Sequence, residues 1–490
     1  IAVYRDRSSG TRTRFSSENH AAVRFVSGSL LSGAARGRRS LCASNCGTLI
    51  GPIVSNLSAL DRLPSLVTSA RREHARGFEL LQSLCDDVGP RFPCTAGDVA
   101  AIAWAKEAMT RAGLSNVRAE AAPATLWERG HESCTVFLPR AQPLALTSLG
   151  GSVATPDGGL SADVVAFDSL EALDAAPAAE VEGRIVYLHH VMPKLRDGTG
   201  YNAGSIARTA GPSRAAKKGA VGFLVRSIGT ETVRSPHTGA LFYEPGVAQI
   251  PSAAIAIPDG DQLRRQLARG GRVRAELKLG CRPLPIGTSA NVLAELPGTT
   301  EEIVLLGAHL DSWELGTGAL DDGAGCVIAI EAARLLGSLG IAPKRTIRVG
   351  LFANEELGIG GGLAYASAHS AEAKLHAAAI EADQGDGRPW SLRVPLGQRE
   401  SALSKRLHEA LSPLEIALDE GHSRGGVDIS PLKQLGVPFV DLRQDATRYF
   451  DFHHTANDVI DNVSRDDLAH ATVAFAVTVW VLANTDERYA

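Results

Sequence analysis

From about Thr288 onward, short β-branched apolar runs alternate with stretches of helical period, and this alternation restricts the fold more than any other feature of the chain. Strand candidates lie at 291–296, 303–307, 346–353, 377–381 and 437–442, with helix candidates at 322–339, 361–369, 400–411 and 466–483. In the helix that opens at Asp322, Ile328, Ala332, Leu335 and Leu339 share one stripe, as packing onto a sheet requires. Strands this uniformly apolar are covered on both faces, because a half-solvated strand would alternate in polarity. The expectation is an α/β fold, with a mixed, mostly parallel sheet and helices on both faces. In such sheets ligands gather beyond the carboxyl ends of the strands.

The rest of the 490 residues divides by pattern. Residues 1–62 are rich in Ser, Arg and Gly and read as a disordered or non-native extension. Residues 63–145, with helical period at 74–85 and 97–112, form the first part of the main domain. Residues 146–283 carry short β-like runs between Gly, Pro and Ser turns with room for short helices only, and read as an inserted β-rich domain. Residues 284–490 complete the main domain.

The formal charge is -4, and no Lys/Arg stripe occurs beyond the first 80 residues, so nothing points to nucleic acid. The seven cysteines are odd in number and include no CxxC pair, which argues against a cysteine metal cluster; Cys85 and Cys94 could pair across a short loop. The apolar stretch 471–483 is short and follows a polar run, so it reads as a core helix and no membrane insertion is expected. Arg5, Arg7, Arg12 and Arg14 precede no clean apolar segment, and 25–35 is only a weak match to a secretory signal.

Chemistry-bearing side chains recur at the predicted strand ends. His309 and Asp311 follow one strand, Glu355 and Glu356 the next, and Asp383 a third; Asp321 and Asp322 open a helix, and His453 and His454 come near the C-terminus. Imidazoles and carboxylates converging without cysteine are the donors of a hydrolytic zinc centre. Each has a simpler reading alone. An HxD can be a surface loop, Asp321–Asp322 can cap a helix, and two histidines can be hydrogen-bonded in a core. Two adjacent carboxylates beyond a buried strand repel, and a cation would offset that cost.

The chain resembles the M28 family of zinc exopeptidases. The resemblance rests on W-E-R-G at 127–130, S-P-H-T-G at 235–239, G-A-H-L-D-S-W at 307–313, G-A-L-D-D-G-A-G at 318–325, P-K-R-T-I-R at 343–348, E-E-L-G at 355–358 and F-H-H-T at 452–455, and it covers about residues 65–485. It implies the zinc exopeptidase fold, with 146–283 as a protease-associated insertion. It also implies two zinc ions per chain, His309 and Asp383 as terminal ligands of one, Glu356 and His454 of the other, and Asp321 as the bridge. Glu355 matches the general base and Asp311 the residue that orients His309, while Asp321–Asp322 matches a cis peptide. The chain departs from the pattern at 426–429, which reads G-V-D-I, and at Asp451, which interrupts the aromatic run before the histidines.

The activity so implied is hydrolysis of short peptides, chiefly dipeptides with a free C-terminal carboxylate. An aminopeptidase of the same family and a non-catalytic peptide-binding protein are the alternatives. The resemblance further implies a homodimer and a secreted or periplasmic location, with a cytoplasmic one left open. The S-P-H-T-G loop reads as facing substrate or a second subunit, or as a plain turn. In an extended segment His453 and His454 would point to opposite sides.

Overall fold

The computed structural model describes residues 74–137 and 140–489. The expected extension 1–62 lies outside the described residues. The main sheet has five strands in the order Ser115–Glu128, Arg282–Leu296, Thr346–Phe352, Ile303–His309, His376–Glu381. The last three are mutually parallel and the first two run antiparallel. Every residue of Ile303–His309 is buried, as its unbroken apolar character predicted for a strand covered twice.

The covering layer is helical. Ala324–Gly337 packs between the sheet and Arg465–Asn484, and is buried on nearly all sides, not only along the predicted stripe. Arg465–Asn484 is long and apolar enough to cross a membrane, yet residues 471–483 are all buried inside the protein. Ser464 caps it, its hydroxyl accepting from the Asp467 N–H. One predicted strand is displaced. Within the run at 437–442, Phe439 forms an isolated bridge with Ala379, while Asp441 and Leu442 begin the strand Asp441–Gln444 of a separate three-stranded sheet.

The β-rich region expected at 146–283 forms a larger sheet and more helix than its sequence suggested. Its eight-stranded sheet takes in Glu132–Phe137 and Ala141–Leu144, which the pattern had assigned to the main domain. It also carries the 18-residue helix Gly200–Lys217, where only short helices were expected. That helix lacks an apolar stripe because small residues seat it. A Cβ on Gly211 would stand 2.4 Å from the ring of Phe223. The long strands Ser115–Glu128 and Arg282–Leu296 pair antiparallel and deliver the chain into and out of this domain. Cys85 and Cys94 do not pair; both are free thiols.

Gly211→Ala should therefore destabilise the protein by about 1–3 kcal/mol through overpacking. Chemical denaturation measures it, and an unchanged midpoint would mean that the helix is not seated on Phe223.

Candidate metal centre

The parallel strands end at one edge of the sheet and bring the predicted residues together. His309 closes its strand, Glu355 and Glu356 lie three and four residues beyond Phe352, and Asp383 two beyond Glu381. Asp321 sits in the wide turn Ala319–Gly323, and the peptide joining it to Asp322 is cis.

Asp321 is the centre of the arrangement. Its Oδ1 lies 3.2 Å from His309 Nε2, and its Oδ2 lies 3.1 Å from His454 Nε2 and 3.4 Å from His453 Nε2. His309 Nε2 is also 3.6 Å from Asp383 Oδ1, and His454 Nε2 is 3.0 Å from Glu356 Oε2. One carboxylate thus faces two donor pairs, one on each side. Asp322 turns away. Its two oxygens accept from the backbone of His309 (3.1 Å) and Gly325 (3.0 Å), so it braces the strand end and caps the helix.

Asp311 orients the site differently from the expected carboxylate–imidazole contact. Its backbone carbonyl accepts from His309 Nδ1 at 3.0 Å, leaving Nε2 free to ligate, whereas its carboxylate is 3.8 Å away. The carboxylate instead accepts from the amides of Glu355 (3.0 Å) and Glu356 (3.2 Å). One residue therefore aligns both the imidazole and the two glutamates.

His453 and His454 do not point apart. Their rings stack with centroids 3.6 Å apart, and both Nε2 atoms approach Asp321. The cause is local: His454 has φ +62°, so the segment is not extended. That left-handed backbone costs about 1–3 kcal/mol and persists only where surrounding contacts enforce it. His453 reaches Asp321 alone, while His454 reaches both Asp321 and Glu356.

Charge makes the same point as distance. Burial pushes the carboxyls of Glu355, Glu356, Asp383 and Asp322 above their ordinary range, and their mutual repulsion adds to it. Asp321 is the exception. Burial acts on it too, but His453, His309 and His454 outweigh it and hold its carboxyl well below the usual range. Asp321 Oδ2 and Glu356 Oε1 are buried and accept no hydrogen bond. Lone-pair donors facing one another 3.0–3.6 Å apart, with orphaned carboxylate oxygens, fit divalent cations. Candidate donor atoms lie close together in two groups, Asp321 with His453 and His454, and His309 with Asp383 and Asp322, the Asp322 oxygens being already engaged by two amides.

Two supporting residues escaped the sequence analysis. Arg91, fully buried, donates to the carbonyls of Leu310, Thr317 and Gly318 and so closes the loop between His309 and Asp321. Asp458 accepts from the amides of Leu320 (2.6 Å) and Asp321 (3.1 Å), tying the turn that carries Asp321 to the segment just after His454. Burial raises the Asp458 carboxyl to about 7. The only signal was position: Asp458 stands four residues after a candidate ligand, while Arg91 had none. A small cleft lined by Trp313, Asp321, Glu356, His454 and Asp458 opens on the centre.

Asp458→Asn should leave one of those amides without an acceptor, costing about 1–3 kcal/mol. Thermal unfolding of metal-free protein measures the loss, and no loss would remove Asp458 from this role.

Comparison with known proteins gives the arrangement its family. The profile of peptidase family M28 matches residues 291–479. Carboxypeptidase Q of Mus musculus is 36% identical over 415 residues, covering 84% of this chain and 86% of that protein. The crystal structure of a peptidase M28 precursor from Shewanella amazonensis superimposes with a TM-score of 0.86 at 40% identity, over 88% of this chain and 98% of that one. A zinc aminopeptidase from Bacillus subtilis shares the fold, with a TM-score of 0.60 at 21% identity over 85% of this chain and 96% of its own. The chain belongs to peptidase family M28 and is a metallo-exopeptidase with a dinuclear zinc centre.

Proposed function

We propose that this exopeptidase hydrolyses short peptides, chiefly dipeptides with a free C-terminal carboxylate. The observation that carries the choice of end is Arg208 of the inserted domain. Arg208 is 6% exposed and forms no ion pair among the described residues. It donates to Tyr201 Oη (3.0 Å) and to the carbonyls of Ala240 (3.3 Å) and Thr238 (3.4 Å). The Tyr201 ring meets His453 edge-on at 4.9 Å, which sets this cation beside the metal centre. A buried guanidinium without a carboxylate suits the α-carboxylate of a substrate. The similarity to carboxypeptidase Q supports the same choice.

In this reading His309 and Asp383 would hold one zinc ion and Glu356 and His454 the other, with Asp321 facing both positions. Zinc ions there would supply Lewis acidity toward the scissile carbonyl and acidify the attacking water. Glu355 takes the proton from that water and returns it to the leaving amine. Burial and the neighbouring Glu356 charge raise its carboxyl above the usual range in the metal-free protein. Asp311 holds the Glu355 backbone in place. His453 supports the stacked His454 ring. A homodimer and a secreted or periplasmic location belong to this proposal through family resemblance.

One observation favours the aminopeptidase reading. Both oxygens of Asp428 are buried without a hydrogen-bond partner, and an α-ammonium group would satisfy them. Hydrolysis of one dipeptide, its C-terminal amide and its N-acetyl form separates the two. Loss with the amide and retention with the acetyl form is expected, and the reverse would establish the aminopeptidase. Glu355→Gln should lower kcat by about 10²–10⁴ with zinc content retained. Normal turnover would sink the general-base role.

A further inference from the structure

The S-P-H-T-G loop of the inserted domain faces neither solvent nor an open substrate cleft. Ser235, His237 and Thr238 are buried, His237 to 1% exposure, and the loop lies against the segment that carries His453 and His454. The Thr238 N–H donates to the His454 carbonyl at 2.9 Å, and the Thr238 carbonyl stands 3.3 Å from His454 Nδ1. His237 Nδ1 lies 2.7 Å from the His453 carbonyl oxygen. The carbonyls of His453 and His454, on either side of the one left-handed residue in the segment, are thus both held by donors from the inserted domain.

His237 is itself held on three sides. Its Nε2 lies 2.8 Å from Glu231 Oε2, and its backbone N–H donates to Ser227 Oγ at 2.9 Å. Gly229 lies flat on the ring, where a Cβ would stand 2.3 Å from Cε1 and Nε2. Ser227 in turn donates from its backbone to Ile255, which ends a strand of the inserted sheet. A continuous set of contacts runs from that sheet, through a locked imidazole, to the backbone that aims His454.

We infer that His237 is a positioning residue for the zinc ligand His454, and that the inserted domain sets the orientation of that ligand. A donor to the preceding carbonyl keeps the backbone at His454 in its left-handed form. The Thr238 carbonyl keeps the proton on Nδ1 and leaves Nε2 toward Glu356 and Asp321. The inference rests on the assignment of His454 as a ligand.

The test measures zinc affinity of the full-length, initially metal-free protein by competition with a chromophoric chelator, with cobalt substitution giving a ligand-field spectrum for each equivalent. His237→Asn keeps an amide donor near the position of Nδ1, whereas His237→Gln carries its amide beyond it. His237→Gln should weaken one metal equivalent by about 10–100-fold and alter that equivalent's spectrum, leaving the other unchanged. His237→Asn should recover most of the affinity. Glu231→Gln, a milder change, should weaken the same equivalent and carries the test should His237→Gln fail to fold. Two equivalents of wild-type affinity in all three variants would overturn the inference, as would equal weakening of both. His454→Ala separates the two levels. If it retains both equivalents, the ligand assignment fails; if it loses one while the His237 and Glu231 variants lose nothing, only the positioning role fails.

Discussion

The concentration of buried negative charge around Asp321 governs the architecture of this enzyme. Five acidic side chains, Asp321, Asp322, Glu355, Glu356 and Asp383, meet at one sheet edge beside the imidazoles of His309, His453 and His454. Removing such charges from water is costly unless they are paired or coordinate a cation. Much of the surrounding structure serves to hold them against repulsion. Asp322 spends its oxygens on amides, Asp311 grips the backbone of both glutamates, and Asp458 with Arg91 closes the loop that presents the bridge. Divalent zinc completes the balance that protein groups leave open.

That arrangement also explains why the inserted domain is integral to the centre. Thr238 and His237 hold the His453–His454 backbone, and Asp451 accepts from Lys194 and Thr230 of the same domain. Asp451, which looked in the sequence like an interruption of an aromatic run, is therefore a tie between domains. Arg129 makes a second tie. It donates to Glu314, to the Thr147 hydroxyl and to the Ser148 carbonyl, and its guanidinium lies over Trp127 and Trp313.

The legible part of the fold was the part where burial leaves a local mark. Ile303–Ala308 is apolar throughout and Thr346–Phe352 apolar except at Thr346 and Arg348, as strands covered on both faces require, and their ends located His309, Glu355 and Glu356. Gly200–Lys217 left no such mark, because it packs through glycine and alanine against Phe223 and needs no apolar stripe. Glu132–Phe137 was missed for a related reason: its place depends on pairing with Arg274–Leu279, distant in sequence. Pairing partners at that separation are set by the closed sheet and not by either segment alone.

That these side chains gather at one sheet edge was readable from sequence, because strand ends can be located from hydrophobic pattern. How those donors face one another was not. The left-handed backbone at His454 turns two neighbouring rings to the same side, and the contacts that hold it come from a loop more than two hundred residues earlier. Arg91 and Asp458 were equally silent, because backbone carbonyls and amides leave no trace in the composition of the segment that offers them. The sequence by itself determined which chemistry this chain can perform, since residue type sets ligand chemistry. The tertiary structure alone decided orientation, since that depends on hydrogen bonds between segments that meet only when the sheet and the inserted domain have closed.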